Sequence, residues 1–112
     1  MTDQTQNPVG SAEVKDLVDL LQYQDSSIVS RVLLKNKGGT VTLFAFDVGE
    51  GLSEHTAPFD ALVMVTDGEA DIEIAGEGFK VKQGETITLP ANQSHAVRAA
   101  TKFKMLLIMI RA

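Results

Sequence analysis

The chain has 112 residues, no cysteine, 44% hydrophobic residues and a formal net charge of −5. That length suits one domain able to bury roughly two-thirds of its unfolded surface, and the lack of cysteine excludes thiolate catalysis, zinc ribbons, iron–sulfur clusters and disulfide staples. The acidic balance argues against nucleic acid and anionic membrane as partners, since binding to either rests largely on neutralising phosphates.

Residues 1–10 are polar, contain Pro8 and carry neither a basic stretch nor an apolar run. They read as a frayed tail rather than a secretory signal, so a cytoplasmic location is expected. A single domain is expected over residues 11–112. It opens with a short helix, capped by Ser11, with Glu13 in its first turn and Val14, Leu17, Val18 and Leu21 on one stripe. Glycine punctuation then sets in at Gly38-Gly39, Gly49-Glu50-Gly51, Asp67-Gly68, Gly76-Glu77-Gly78 and Gly84-Glu85. Between these turns lie runs with strand character: Ile28 to Leu34, Val41 to Val48, Asp60 to Thr66, Glu69 to Ala75, Phe79 to Val81, Thr86 to Leu89, His95 to Ala100 and Phe103 to Ile110. Asp71-Ile72-Glu73-Ile74 and Thr86-Ile87-Thr88-Leu89 alternate, giving one buried and one wet face. Ala61 to Val65 and Met105 to Ile110 are apolar on both faces and need cover twice, for which a homodimer is the simplest arrangement. The second of these runs is too short for a bilayer, which needs about 20 residues. An all-β domain, closed so that few strand edges stay exposed, is the expected fold class.

The chain's two histidines, His55 and His95, stand in turns that open apolar strands. Imidazole titrates near neutral pH and ligates borderline metals, so a sheet that rolled up and brought both rings into one cavity would make that cavity the functional site.

Two segments carry a family resemblance. Gly84 to His95, with Pro90 between them, is similar to the second motif of the cupins, and the stretch from Gly49 to Gly68 is similar to their first. Over about residues 41–110 the chain therefore resembles the conserved-barrel cupins of RmlC-like type, and more narrowly small single-domain bacterial cupins that share the pattern His55-Thr56-Ala57-Pro58-Phe59-Asp60-Ala61. The resemblance implies a cupin β-barrel, a double-stranded β-helix or jelly roll. In metal-binding members two histidines and a glutamate of the first motif join the histidine of the second. Here His55 and His95 match, while Ala57 stands at the second histidine and Ala61 at the glutamate. Asn92 replaces the second motif's glycine, a mild change because asparagine tolerates left-handed backbone.

What remains is a reduced two-histidine site. A divalent metal (Zn, Mn, Fe or Ni) at His55 and His95 stands beside the reading of two pocket-lining histidines hydrogen-bonded to backbone or water. Ala57 and Ala61, facing inward as the family pattern implies, make room for a small molecule of apolar or mixed character. Asp60 reads as a turn carboxylate, and Glu54 and Arg98 as outward-facing. Tyr23 reads as a packing residue, and Met64, Met105 and Met109 as core filler. Three functions stay open: a module binding a small molecule, a metal-dependent cupin enzyme (isomerase, lyase or oxygenase), and an interaction protein using its apolar outer strands. The first is favoured, and no reaction is read from the sequence.

Overall fold

The computed structural model describes residues 12–111. The expected tail and the Ser11 cap lie outside the described residues. Nine strands run in chain order among those residues: β1 Ile28–Asn36, β2 Gly39–Phe46, β3 Gly51–His55, β4 Asp60–Asp67, β5 Glu69–Ile74, β6 Glu77–Lys82, β7 Thr86–Leu89, β8 His95–Arg98 and β9 Phe103–Ile110. All pairs are antiparallel. They form a five-stranded sheet in the order β1-β2-β9-β4-β7 and a four-stranded sheet in the order β3-β8-β5-β6. The result is an all-β jelly roll of two antiparallel sheets, as the resemblance implies.

Period-two alternation explains why the two sheets face each other. Along β4, Ala61, Val63 and Val65 are buried while Leu62, Met64 and Thr66 are less so, which follows from successive side chains leaving opposite faces of a pleat. From the other sheet, Ala70, Ile72, Val81 and Val97 point into the same core. Phe46 and Phe103 stack within it at 4.6 Å between ring centroids, and burying each such ring stabilises the fold by about 1.5–3 kcal/mol. The tight β4–β5 turn needs glycine: Gly68 has φ +75, and a Cβ there would collide with the Lys102 carbonyl.

The N-terminal helix is a single 3-10 turn, Leu17–Leu20, with Asp16 at its N-cap accepting from the Val18 amide. A 3-10 turn repeats every 3.0 residues, so it cannot keep an α-helical stripe in line. The predicted stripe divides accordingly: Leu21 is buried while Val14 is fully exposed. Leu17, Leu20, Leu21 and Tyr23 cover the outer face of the larger sheet at Val29, Leu43, Ala45 and Leu106. Three polar contacts pin this cover. The Tyr23 hydroxyl donates to Asp67 at 2.7 Å, Lys104 Nζ to the Val18 carbonyl at 2.8 Å and Arg31 to the Leu20 carbonyl at 3.1 Å. Burial and the Asp67 carboxylate both push the Tyr23 phenol well above its ordinary pKa, so it stays protonated and holds the contact. Among the described residues no helix is long and apolar enough to cross a membrane.

Candidate functional site

His95 opens β8, and the loop before it is tied to the loop that follows β3. Asn92 adopts φ 66, the left-handed conformation that its residue type tolerates. Its amide donates to the Ala57 carbonyl at 2.8 Å. One residue earlier, the Ala91 amide donates to Asp60 Oδ1 at 2.9 Å. Asp60 is thus a turn carboxylate that fastens the second motif to the first, and Ala57 serves the same junction through its backbone.

His55 ends β3, a strand whose polar sequence, Gly-Leu-Ser-Glu-His, carries no strand signal. β3 exists because it can lie against β8. Gly51 opposes Arg98, Leu52 opposes Val97 and His55 opposes His95, with a register shift between Leu52 and His55. Ser53 and Glu54 together face the single residue Ala96, which is a β-bulge. In a regular strand, residues three apart leave opposite faces. The bulge removes that conflict and turns both Leu52 and His55 inward, leaving Glu54 exposed. Close approach also depends on Gly51, where a Cβ would collide with the Val97 carbonyl oxygen.

The two imidazoles meet edge to face, with ring centroids 4.3 Å apart and an interplanar angle of 69°. His55 Nδ1 lies 2.8 Å from the Ser53 carbonyl. A carbonyl only accepts, so Nδ1 carries the proton and Nε2 presents its lone pair. That lone pair faces His95 Nε2 at 3.1 Å, so His95 Nε2–H is the donor. His95 Nδ1 is left buried without a hydrogen-bond partner among the described residues. Burial first, and His55 second, lower the His95 pKa, against a weaker opposing effect from the Gln93 backbone. His95 is therefore held neutral near pH 7.

The pair opens onto a cavity of about 50 Å³ between the sheets, walled by Leu52, Phe59, Ala61, Leu89, Val97, Met105, Leu107 and Met109. Ala61 lines this cavity and Ala57 does not. One water needs about 10–15 Å³ measured this way, and a drug-sized ligand several hundred. The space therefore takes an ion or a group of a few heavy atoms. Met105 and Met109, read from sequence as filler, stand in its wall. Arg98 lies on the outer face with Asp71, Glu73 and Lys80, around an open depression of about 500 Å³. Lys80 there pairs with Asp71 at 2.8 Å and Glu69 at 3.5 Å, and no histidine borders it.

The spacing of the two Nε2 atoms matches neighbouring ligand positions on one metal. Bonds of about 2.0–2.1 Å place two nitrogens about 2.8–3.4 Å apart at angles between a right angle and the tetrahedral one. Donor number is the obstacle. Among the described residues no group of three or more His, Cys, Asp or Glu side chains converges, and Asp60 and Glu54 are exposed and absent from the cavity wall. Two neutral imidazoles do not fit a resident divalent cation, which takes at least three protein donors at the well-characterised sites.

Comparison with known proteins accords with this architecture. The profile of the cupin domain matches residues 42–111. A conserved protein of unknown function from Streptococcus pyogenes is 33% identical, with a TM-score of 0.89 over 95% of this chain and 93% of that one. A cupin 2 conserved barrel domain protein from Leptotrichia buccalis is 45% identical, with a TM-score of 0.83 over 85% of this chain, which spans only 46% of that longer protein. A cupin superfamily protein from Desulfitobacterium hafniense, 24% identical, shares the fold at a TM-score of 0.87 over 95% of this chain and 97% of its own. No curated protein matches.

Proposed function

The chain belongs to the cupin domain family, and from that premise we propose that it binds a small molecule at the paired imidazoles of His55 and His95. The observation that carries this reading is the 3.1 Å contact between the two Nε2 atoms at the wall of an otherwise apolar cavity. That contact is a donor–acceptor pair, and a ligand group able both to donate and to accept can insert into it. A hydroxyl or a protonated carboxyl satisfies His55 Nε2 and His95 Nε2–H together. Only such a small head enters the cavity. Any larger body rests at its mouth, against Phe59 and the exposed edge of His55.

A fragment screen followed by the imidazole NMR signals tests this. Fragments should shift both rings of the wild type and bind no longer to the His55→Ala, His95→Ala double variant. Unchanged uptake by that variant would overturn the reading. The nitrogen spacing favours a second reading, a metal-dependent cupin enzyme of the isomerase, lyase or oxygenase class in which substrate or solvent completes the shell around a divalent ion at His55 and His95. Elemental analysis of tag-free protein separates the two, because a stoichiometric divalent metal selects the enzyme.

The same proposal includes a homodimer. Leu34 pairs with Val41, Val41 with Ile108 and Ile108 with Leu62, a row of apolar side chains on the outer face beyond the N-terminal cover. Light scattering should return twice the chain mass.

A further inference from the structure

The donors that fail a divalent cation suit another class of ion, and we propose that this cavity binds a soft monovalent metal, cuprous copper or its redox-inert surrogate silver(I), through both Nε2 atoms and a methionine thioether. The proposal rests on the reading that His55 and His95 form the binding site, and names what occupies it.

Three features of the cavity point the same way. The first is charge. Its wall holds no carboxylate, so the ion's charge must be carried by neutral donors in an apolar surround. The cost of desolvating an ion rises with the square of its charge, which makes a divalent cation about four times as costly there as a monovalent one. The second is softness. Met105 and Met109 follow the inward face of β9 into the same small cavity as the imidazoles. Met109 lies opposite Ala61 in the β4–β9 register, so the alanine leaves space for the flexible thioether to swing toward the nitrogens. Imidazole and thioether donors together favour Cu(I) over the harder divalent ions, and a filled-shell monovalent ion is satisfied by two or three donors.

The third feature is the support behind His55. A ligating histidine ordinarily donates its other N–H to a backbone carbonyl or carboxylate. His55 already does so, from Nδ1 to the Ser53 carbonyl at 2.8 Å. On His95 the ion takes the Nε2 lone pair once the ring proton moves to Nδ1, the buried nitrogen that now lacks a partner. Both imidazoles remain neutral, no proton leaves the site, and the complex gains only the single charge of the ion.

Tag-free full-length protein should be titrated with silver(I), and with copper(I) under reductant against a competing chelator, beside zinc(II), nickel(II) and manganese(II). The expected result is one silver or copper ion per chain, with shifts at both imidazoles and at the Met105 or Met109 methyl, and weaker binding of every divalent ion. His55→Ala should reduce affinity about 100-fold, and Met109→Leu or Met105→Leu, which preserve side-chain bulk, about tenfold. Zinc or nickel binding as tightly as copper(I), or unchanged copper affinity in both methionine variants, would overturn the inference. If neither soft ion binds while fragments still require the two histidines, this inference falls and the small-molecule reading stands. If wild-type protein takes up neither ions nor fragments, the site itself is wrong.

Discussion

The strand that carries His95 and the strand that carries His55 reach one contact by different means. β8 lies between β3 and β5, and its first residue is a buried histidine with Ile74 opposite on one side and His55 on the other. β3 is the edge of its sheet. Its histidine is exposed and depends on a bulge, a glycine and one hydrogen bond to its own strand. One ring is therefore part of the core, whereas the other is brought to it by local backbone geometry. A site built this way can adjust at His55 while His95 stays in place, which suits a contact that a ligand or ion must open.

Substitutions along each strand sharpen the contrast. The largest effect is expected for Gly51→Val, which drives a side chain into the Val97 carbonyl and lifts β3 off β8. Overpacking of this kind costs about 1–3 kcal/mol, visible in urea denaturation, and imidazole NMR should show the two rings no longer in contact. His95→Ala comes next, at about 1–2 kcal/mol, because it empties a buried position beside the core. A smaller effect is expected from pH. The folded His95 holds its proton less tightly than an unfolded imidazole, so its contribution is present above the ordinary value near 6.5 and is lost as pH falls from there through the lowered value. Thermal melts should show stability declining over that acidic range in wild type, and less so in His95→Gln. The smallest change belongs to His55→Ala, below about 1 kcal/mol, because the main contribution of this exposed ring is the hydrogen bond it accepts from His95. A stability loss there equal to that of His95→Ala would break the comparison.

Strands with a strong apolar rhythm were legible in advance. Thr86–Leu89 and Phe103–Ile110 have the bounds their residues suggested, the first from its period-two alternation and the second as a continuous apolar run. His95 was legible through its spacing from Gly84 and Pro90, and Asn92 through its tolerance of positive φ. β3 was not. Its five residues owe their extended form to pairing with β8 and not to hydrophobic alternation. The cross-loop roles of Ala57 and Asp60 were equally hidden, since the hydrogen bonds to Asn92 and Ala91 join positions about thirty apart in the chain. Met105 and Met109 were read as core filler and not joined to the histidines, because an apolar run says nothing about a side chain's neighbours across the barrel.

Composition, turn residues and periodicity thus determined by themselves an all-β chain, most of its strands, and the two imidazoles as its chief chemical resource. Tertiary structure alone decided that those imidazoles touch, that Ala61 and not Ala57 lines their cavity, that the cavity holds about 50 Å³, and that two thioethers stand in its wall. The division has one cause. Local propensity acts over a few residues, whereas the bulge in β3, the register of β3 on β8 and the closure of the sheets are set by contacts between segments that the chain order keeps far apart.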